Sequence, residues 1–361
     1  MEFVDQAYKV GAGRYLQQPG ALGLLGSEVA KLGRKCLVLG GPTALSLAGD
    51  ATLASLGDAG VACVVRECPG YPTYEAARDL ADDVALNGCE VVVGVGGGRA
   101  MDLAKAVAST AQTPVIEVPT SVATCAAYTP LSVMYTSEGA AIGCWRFVRE
   151  VDAVIVDEDL LPTQPGRLVA AGMLDAMAKT YEIANGAPTY PADSDDLPRA
   201  CAYAYACANN RMLERYGRAA FADAEASRPS EDLSKVAFVN ILLTGVVSAL
   251  TRGFHQTALA HKLYDGIRTH YTLECAKWLH GELVAIGLLM QSSYNNDCDG
   301  TRYLRSAMVE MGMPTSLADV GIQPGSEQFE RLREHVRHPD FVPDTAEARE
   351  RFAHAFGSIV S

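Results

Sequence analysis

Three segments in the second half of the chain each place a metal-ligating side chain among apolar residues. Asp175 lies in the apolar run 168–177, and His261 and His280 flank an Asp-Gly pair at residues 265–266 that predicts a loop between two helices. An unpaired carboxylate in an apolar run is unfavourable unless a cation or hydrogen bonds meet it. One carboxylate and two imidazoles with an open coordination position are typical of a catalytic zinc or ferrous site. On the residues alone, the alternative for each imidazole is a histidine whose hydrogen bonds are satisfied within the core.

A second feature is rich in glycine. The apolar run 91–95 leads into Gly96, Gly97 and Gly98 and then directly into a helical pattern. Bare backbone lets a ligand approach closely, and the free N–H groups and positive dipole end of the following helix favour an anion. The spacing matches neither the GxGxxG fingerprint nor the end of a P-loop. The turn therefore indicates a pyrophosphate cradle, with close packing of a helix on a sheet as the alternative.

The elements that must position these residues differ between the two halves of the chain. Short apolar runs alternate with helical patterns over the first 160 residues, which predicts a parallel α/β sheet. The predicted strands are residues 35–39, 62–65, 91–95, 114–118 and 153–156. Ligands of such sheets bind beyond the carboxyl ends of the strands, where the loops 40–42, 96–98 and 119–121 are expected to share one edge.

From about Leu161 the pattern predicts helices instead, for example residues 197–216, 233–250 and 281–293. We therefore expect an α/β dinucleotide-binding domain in residues 1–160 and a helical domain for metal and substrate in residues 161–361. A cleft between them is the expected active site.

Composition narrows the choice of partners. The formal charge of −13 and the lack of a clustered basic face exclude nucleic acid and acidic membrane surfaces, which leaves a small molecule as the expected partner. The segment Met1–Asp5 lacks the features of a secretory leader, and no uninterrupted run of about 20 apolar residues occurs, so a cytoplasmic protein is expected. The ten cysteines are scattered without a CxxC pair, which indicates that most of them occupy buried apolar positions.

At this point the chain resembles the iron-containing alcohol dehydrogenase and glycerol dehydrogenase superfamily over most of its length. The resemblance depends on five motifs in family order and spacing. They are the GGGxxxDxxK pattern of Gly96–Lys105, VPTSVAT at 118–124, GMLDA at 172–176, Ala260-His261 followed by Asp265-Gly266, and His280-Gly281-Glu282. The resemblance implies a Rossmann-like parallel-sheet domain followed by an all-α domain.

The resemblance also implies roles for individual residues. Asp175, His261 and His280 would hold the metal ion. A nicotinamide dinucleotide would contact the glycine turn and the loop after the next strand, at Gly96, Gly97, Gly98, Asp102, Thr120 and Ser121, with Thr129, Leu131 and Tyr135 nearby. The metal would activate the substrate hydroxyl for hydride transfer to the nicotinamide.

Two departures from the family pattern concern the metal and the substrate. Iron enzymes of the superfamily usually have a further histidine one helical turn after the aspartate, where this chain has Lys179, which favours zinc, with iron as the alternative. Glycerol dehydrogenases have a polyol-binding aspartate where this chain has Cys125, and the loop 123–133 looks most like the hydroxycarboxylate dehydrogenase branch. Lys179 is therefore a candidate anchor for a substrate carboxylate; the alternative is an ordinary Asp–Lys helix pair.

The sequence leaves several choices open. The loop 40–43 has neither an acid for a ribose hydroxyl nor an arginine for a 2′-phosphate, so either NAD or NADP is expected. A hydroxy acid or oxo acid is the favoured substrate, and a polyol or simple alcohol is the first alternative. A lyase like dehydroquinate synthase, with NAD and zinc, and a non-catalytic NAD-binding protein are rival functions. The apolar helical half leaves room for a homo-oligomer interface.

Overall fold

The computed structural model describes residues 7–361. Its strands all lie before residue 158. They are β1 (Tyr15–Gln18), β2 (Lys35–Gly40), β3 (Ala62–Glu67), β4 (Val91–Gly96), β5 (Val115–Pro119), β6 (Leu131–Tyr135), β7 (Ala141–Arg146) and β8 (Ala153–Asp157). Six of them form one sheet in the order β1-β8-β5-β4-β2-β3, in which each paired strand is parallel to its neighbour. The remaining two, β6 and β7, form a separate antiparallel hairpin.

The predicted parallel sheet is confirmed, and the five predicted strands correspond to β2, β3, β4, β5 and β8. The inner strands are apolar because both faces of the sheet are covered by helices. Along β4, for example, Val92 faces one apolar core, whereas Val91, Val93 and Val95 face a second core on the opposite side. This coverage leaves the carboxyl ends of the strands as the accessible edge.

Helices α1 to α4 cover the sheet, and the chain from residue 161 onward contains only helices and connecting segments. The helices are α1 (Leu25–Val29), α2 (Pro42–Asp58), α3 (Tyr74–Asn87), α4 (Gly98–Ala111), α5 (Gly166–Ile183), α6 (Leu197–Glu225), α7 (Glu231–Phe238), α8 (Thr244–Leu250), α9 (Leu259–His270), α10 (His280–Tyr294), α11 (Cys298–Glu310), α12 (Glu327–Val336) and α13 (Ala346–Gly357). The helical second half is thus confirmed. One apolar core continues from the sheet into these helices, and a domain division at residue 160 stays a proposal.

A π-helical segment, Val239–Leu243, joins α7 to α8 in one continuous helix. By length and composition alone, the stretch Glu231–Leu250 could cross a membrane, but 61% of its apolar 18-residue window is buried inside the fold. Burial of this extent is typical of a core helix. All ten cysteines are free, but only Cys36, Cys89 and Cys275 are buried, so the expectation that most of them are buried is wrong. Residues 1–6 lie outside the described part of the chain, so the expectation about a leader stays a prediction.

Candidate active site

Three helices of the second half bring the predicted metal ligands to one point. Asp175 lies in α5, His261 in the first turn of α9, and His280 is the first residue of α10. Asp175 Oδ1 is 3.2 Å from His261 Nε2 and 3.4 Å from His280 Nε2. The three ligand atoms lie within 4.8 Å of one another. A single ion could therefore contact all three.

Small residues allow these helices to approach so closely. A Cβ atom on Gly281 would lie 2.1 Å from the carbonyl oxygen of Ala171, so α10 rests directly on the backbone of α5. A Cβ atom on Gly172 would lie 2.1 Å from the carbonyl oxygen of Val122, in the loop that follows β5. Gly281 thus sets the distance between α5 and α10, and hence between Asp175 and His280, whereas Gly172 lets the loop after β5 lie directly against α5.

The Asp175 carboxylate is buried and faces one ammonium group and two imidazole rings. Its Oδ1 atom is fully buried and has no well-aligned hydrogen-bond donor among the described residues. Burial raises the pKa of the Asp175 carboxyl, but attraction to Lys179, His280 and His261 outweighs burial and holds the pKa well below 3.8. A buried, ionised carboxylate oxygen that faces two imidazole nitrogens fits a divalent cation, because such a charge needs a cation to offset its desolvation.

Lys179 lies at the same point as the three ligands. It follows Asp175 by one helical turn of α5, and its side chain is only 6% exposed. Its Nζ atom is 4.0 Å from Asp175 Oδ1 and 3.1 Å from His261 Nε2. The sequence left open an ordinary helix pair between Asp175 and Lys179. The structure contains this pair and also places the ammonium group 3.1 Å from His261 Nε2, so the role of Lys179 as a substrate anchor stays a prediction.

Glu182 is a residue of this site that sequence reasoning missed. It is fully buried, and its Oε2 atom is 2.6 Å from His261 Nδ1. Burial raises the pKa of Glu182, but His261, Lys179 and the backbone N–H of Ala258 outweigh it, and the pKa is lowered. Burial likewise lowers the pKa of His261, but Glu182 and Asp175 outweigh it and raise the pKa to about 9. The available signal was spacing, since Asp175, Lys179 and Glu182 follow one another at four and three residues on an apolar helix.

Two charged residues hold the segment that precedes His280. Arg268 of α9 is buried and donates to the carbonyl oxygens of Cys275 and Trp278, at 3.2 and 2.6 Å. Glu282 accepts from the backbone N–H of Leu279 at 2.8 Å and forms an ion pair with Arg167 of α5. The position of His280 is thus fixed from both α9 and α5.

The expected loop at residues 265–266 is wrong. Both residues lie inside α9, which continues to His270. Gly266 lies where α9 packs against α12, and a Cβ atom would lie 2.7 Å from Leu332 Cδ1, the end of a side chain that would have to move. His261 and His280 still converge, but from the starts of two successive helices.

The glycine turn joins β4 directly to α4, and Gly96 also allows close packing of this helix on the sheet, since a Cβ atom there would lie 2.8 Å from Ala100 Cβ. Gly96 ends β4 with φ of 151°, a left-handed conformation that favours glycine, and its carbonyl accepts from the N–H of Thr120 at 2.9 Å. Gly97 and Gly98 begin α4, where Cβ atoms would lie 3.4 Å from Ser121 Oγ and 3.1 Å from Thr124 Oγ1, respectively. The strand ends at β4 and β5 are therefore adjacent, as predicted.

The other predicted cofactor residues lie behind this turn and make contacts within the protein. Asp102 is buried, lies 3.2 Å from the ammonium of Lys105, and accepts from the N–H of Val133 at 3.2 Å. Lys105 also donates to the carbonyls of Ala126, Thr129 and Leu131. These bonds fix the loop between β5 and β6.

Tyr135, at the end of β6, connects the β6 strand to the candidate metal ligands through Tyr264. Its hydroxyl is 2.9 Å from the hydroxyl of Tyr264, and the Tyr264 ring packs edge-on against His280 with ring centroids 4.3 Å apart. Direct contacts of Asp102, Thr129, Leu131 and Tyr135 with a cofactor stay predictions.

Cys125 lies in the same loop and is half-buried. Burial raises the pKa of its thiol to about 11, helped by the negative charge of Asp175. The thiol is therefore uncharged at neutral pH. The loop presents no carboxylate at this position.

Comparisons with known proteins agree with this arrangement. The sequence profile described as iron-containing alcohol dehydrogenase matches residues 12–158. A glycerol dehydrogenase of Thermotoga maritima is 31% identical over 326 residues, which cover 88% of this chain and 85% of that protein. Hydroxycarboxylate dehydrogenase A of Escherichia coli is 29% identical over 301 residues, which cover 80% of each chain.

A solved structure extends the similarity to the whole fold. The crystal structure of a probable glycerol dehydrogenase from Sinorhizobium meliloti superposes with a TM-score of 0.81 and 25% sequence identity, and the match covers 98% of both chains. The similarity therefore includes both the sheet and the helical half.

Proposed function

Because the chain belongs to the iron-containing alcohol dehydrogenase family, whose members are metal-dependent, NAD-linked dehydrogenases acting on CH–OH groups, we propose that it interconverts a small 2-hydroxy acid and the corresponding 2-oxo acid. The observation that carries the proposal is Lys179, a buried cation beside the three candidate ligands. The proposal has three parts, which concern the metal, the cofactor and the substrate.

Asp175, His261 and His280 would hold the metal ion, for which we propose zinc, with iron as the alternative. When bound, a divalent metal lowers the pKa of a coordinated hydroxyl and polarises a carbonyl group. The fully buried Asp175 Oδ1 supports this assignment, since the described residues give it no aligned donor. The presence of Lys179, where the iron enzymes usually have a fourth ligand, favours zinc.

The cofactor would bind at the glycine turn. Gly97 leaves room for the pyrophosphate at the N-terminus of α4, whose N–H groups favour an anion, and Gly98 lets the loop at Thr124 lie close to this turn. The turn and the ligands are connected by the loop after β5, because this loop contacts Gly98 through Thr124 and Gly172 through Val122. Binding at the turn would thus place the cofactor next to the helix that carries Asp175. We propose NAD or NADP, since residues 40–43 include no charged side chain that would choose between them.

The substrate assignment depends on charge. An ammonium group that is 6% exposed has few water molecules around it, so a substrate carboxylate is a suitable partner. The neutral Cys125 thiol adds no negative charge that would repel this carboxylate. Lys179 would therefore orient a 2-oxo acid so that its carbonyl faces the ligand cluster. We propose that the enzyme acts in the cytoplasm as a homo-oligomer.

A polyol or simple alcohol is the second candidate substrate, because a relative with 31% identity is a glycerol dehydrogenase. The proposal is tested by NADH and NADPH oxidation with the zinc-loaded protein, with and without a chelator. The panel contains oxobutyrate, oxoglutarate, glyoxylate, dihydroxyacetone and simple aldehydes. Chelator-sensitive turnover confined to the oxo acids supports the proposal. Turnover of dihydroxyacetone alone would favour the polyol, and tight NAD binding with no turnover would favour the lyase or a non-catalytic role.

A further inference from the structure

The carboxylate of Glu182 receives three N–H donors from the beginning of α9. Its Oε1 atom accepts from the backbone N–H of Ala258 at 2.6 Å and from that of His261 at 2.8 Å. Its Oε2 atom is 2.6 Å from the ring nitrogen Nδ1 of His261. The side chain of Glu182 is 0% exposed, so no water competes for these bonds. One oxygen thus caps the helix, and the other holds the imidazole.

From these contacts we infer that Glu182 is a positioning residue, which orients the His261 ring so that its Nε2 atom can bind metal. This inference rests on the proposed metal site. An imidazole that donates from Nδ1 presents an unprotonated Nε2 when it is neutral, and a metal ion needs that lone pair. In this structure, Nε2 of His261 faces Asp175 Oδ1 at 3.2 Å. Glu182 therefore fixes both the tautomer of the ring and its direction.

The effect of capping α9 can be separated from the effect of orienting His261, because a second residue, Gln291, caps the helix without contacting the His261 ring. Gln291 of α10 accepts from the N–H of Leu259, the first residue of α9, through Oε1 at 2.7 Å. Gln291 also donates to Asn185 and Asn295, at 3.0 and 2.9 Å, and these bonds connect the ends of α5 and α10. It is buried and has no hydrogen bond with the His261 ring. Gln291 is thus a helix cap at the same place without the contact to the ligand.

The variant Glu182→Gln isolates the contact with the ring. An amide has one acceptor oxygen where the carboxylate has two. If that oxygen keeps the two backbone donors, the amide NH2 faces Nδ1 and forces the proton of a neutral imidazole onto Nε2. This protonation blocks the atom that would bind the metal. The control Gln291→Met removes a helix cap at nearly constant volume and leaves Glu182 and His261 intact.

The experiment measures zinc affinity of the full-length protein by competition with a chromophoric chelator, together with NADH binding and the thermal unfolding of the metal-free protein. We expect Glu182→Gln to weaken zinc binding about 10- to 100-fold. In the metal-free proteins, ¹⁵N NMR recorded at a pH where the imidazole is neutral should show the His261 proton on Nδ1 in wild type and on Nε2 in the variant. NADH binding should not change. Gln291→Met should lower the unfolding temperature but leave zinc affinity within about twofold of wild type.

The possible failures are distinguishable. If Glu182→Gln binds zinc as tightly as wild type, or if Gln291→Met weakens zinc binding as much as Glu182→Gln, the positioning role is wrong. If the wild-type protein itself does not bind zinc or ferrous ion, the proposed metal site fails. Unchanged NADH binding and a cooperative unfolding transition establish that each variant is folded.

Discussion

The Nζ atom of Lys179 lies 3.1 Å from Nε2 of His261, so a buried lysine and a candidate metal ligand face each other directly. The ammonium is also 4.0 Å from Asp175 Oδ1. Two cations, the lysine and a metal ion carrying two charges, would therefore be balanced only by the single charges of Asp175 and of Glu182 behind His261. A substrate that brings its own carboxylate would offset this excess of positive charge, and this is the physical basis of the proposed substrate class.

Replacing Lys179 tests that basis. We expect Lys179→Met to lower kcat/KM for oxo acids about 10- to 100-fold, because a charge-assisted hydrogen bond contributes about 1.5–3 kcal/mol. Turnover of a neutral carbonyl compound should change much less. Zinc affinity should not fall, because a like charge is removed. Steady-state kinetics on both substrate types measure this effect.

Lys262→Met is a suitable control for the loss of charge, since Lys262 lies next to His261 in α9. It should leave the preference for oxo acids unchanged. An equal loss of activity on charged and neutral substrates in Lys179→Met would contradict its role as an anchor.

Asp175→Asn tests the metal site. The amide keeps the size of the side chain but removes the charge and offers a weaker metal ligand, so the variant should lose stoichiometric zinc and chelator-sensitive turnover. NADH affinity should stay within about threefold of wild type, because the glycine turn belongs to β4 and α4. Zinc content by atomic absorption and NADH fluorescence titration are the two readouts. Full zinc content with wild-type activity would rule out the assignment.

Gly97→Ala tests the cradle. The added methyl group fits the fold, since its nearest neighbour would be Ser121 Oγ at 3.4 Å, but it occupies space that a pyrophosphate needs. We expect at least a tenfold loss of NADH affinity with little change in the thermal unfolding temperature. The control Gly57→Ala in α2, where a Cβ atom meets nothing within 4 Å, should bind NADH normally. Normal NADH binding by Gly97→Ala would place the cofactor elsewhere.

Glu117→Gln tests whether Glu117, a buried residue of β5, is uncharged in the folded protein. Neither carboxylate oxygen of Glu117 has a hydrogen-bond partner among the described residues, and it is 0% exposed. Burial raises its pKa well above 4.5, although Lys105 acts in the opposite direction. At pH values between 4.5 and the raised pKa, Glu117 therefore keeps its proton in the folded protein and loses it in the unfolded chain. The contribution of Glu117 to stability is fully present below pH 4.5 and is lost as the pH rises toward the folded-state pKa.

The glutamine side chain does not titrate, so the variant should gain stability relative to wild type as the pH rises from 5 to 9. Thermal unfolding at several pH values measures this difference. Glu67→Gln, at an exposed position on the edge strand β3, is the matched control and should show no such trend. A constant difference between wild type and Glu117→Gln across this range would mean that Glu117 is not held neutral in the fold.

The parallel sheet was predictable because its inner strands are continuous apolar runs. Strand β1 was missed, since its four residues include two glutamines and none is fully buried. The hairpin was missed for a related reason, as β7 is mostly exposed and has no apolar alternation. Short strands at an edge, or outside the main sheet, leave a weak hydrophobic pattern.

The candidate ligands were predictable from residue type and from family resemblance, but their supports were not. Glu182 supports His261 from a helix that is distant in sequence, and only the packing of α5 against α9 brings the two side chains together. Gly266 was misread because a glycine that ends a helix and a glycine that lets another helix pack closely look alike in sequence.

The most direct test of the central claim is a crystal structure of the zinc-loaded protein with NAD and oxamate, an unreactive analogue of a 2-oxo acid, measured with zinc anomalous scattering. We predict one anomalous peak at about 2.0–2.2 Å from oxygen or nitrogen atoms of Asp175, His261 and His280. The oxamate carboxylate should lie within hydrogen-bond distance of Lys179 Nζ. Zinc bound at other residues, or a carboxylate directed away from Lys179, would contradict the proposed site and its substrate class.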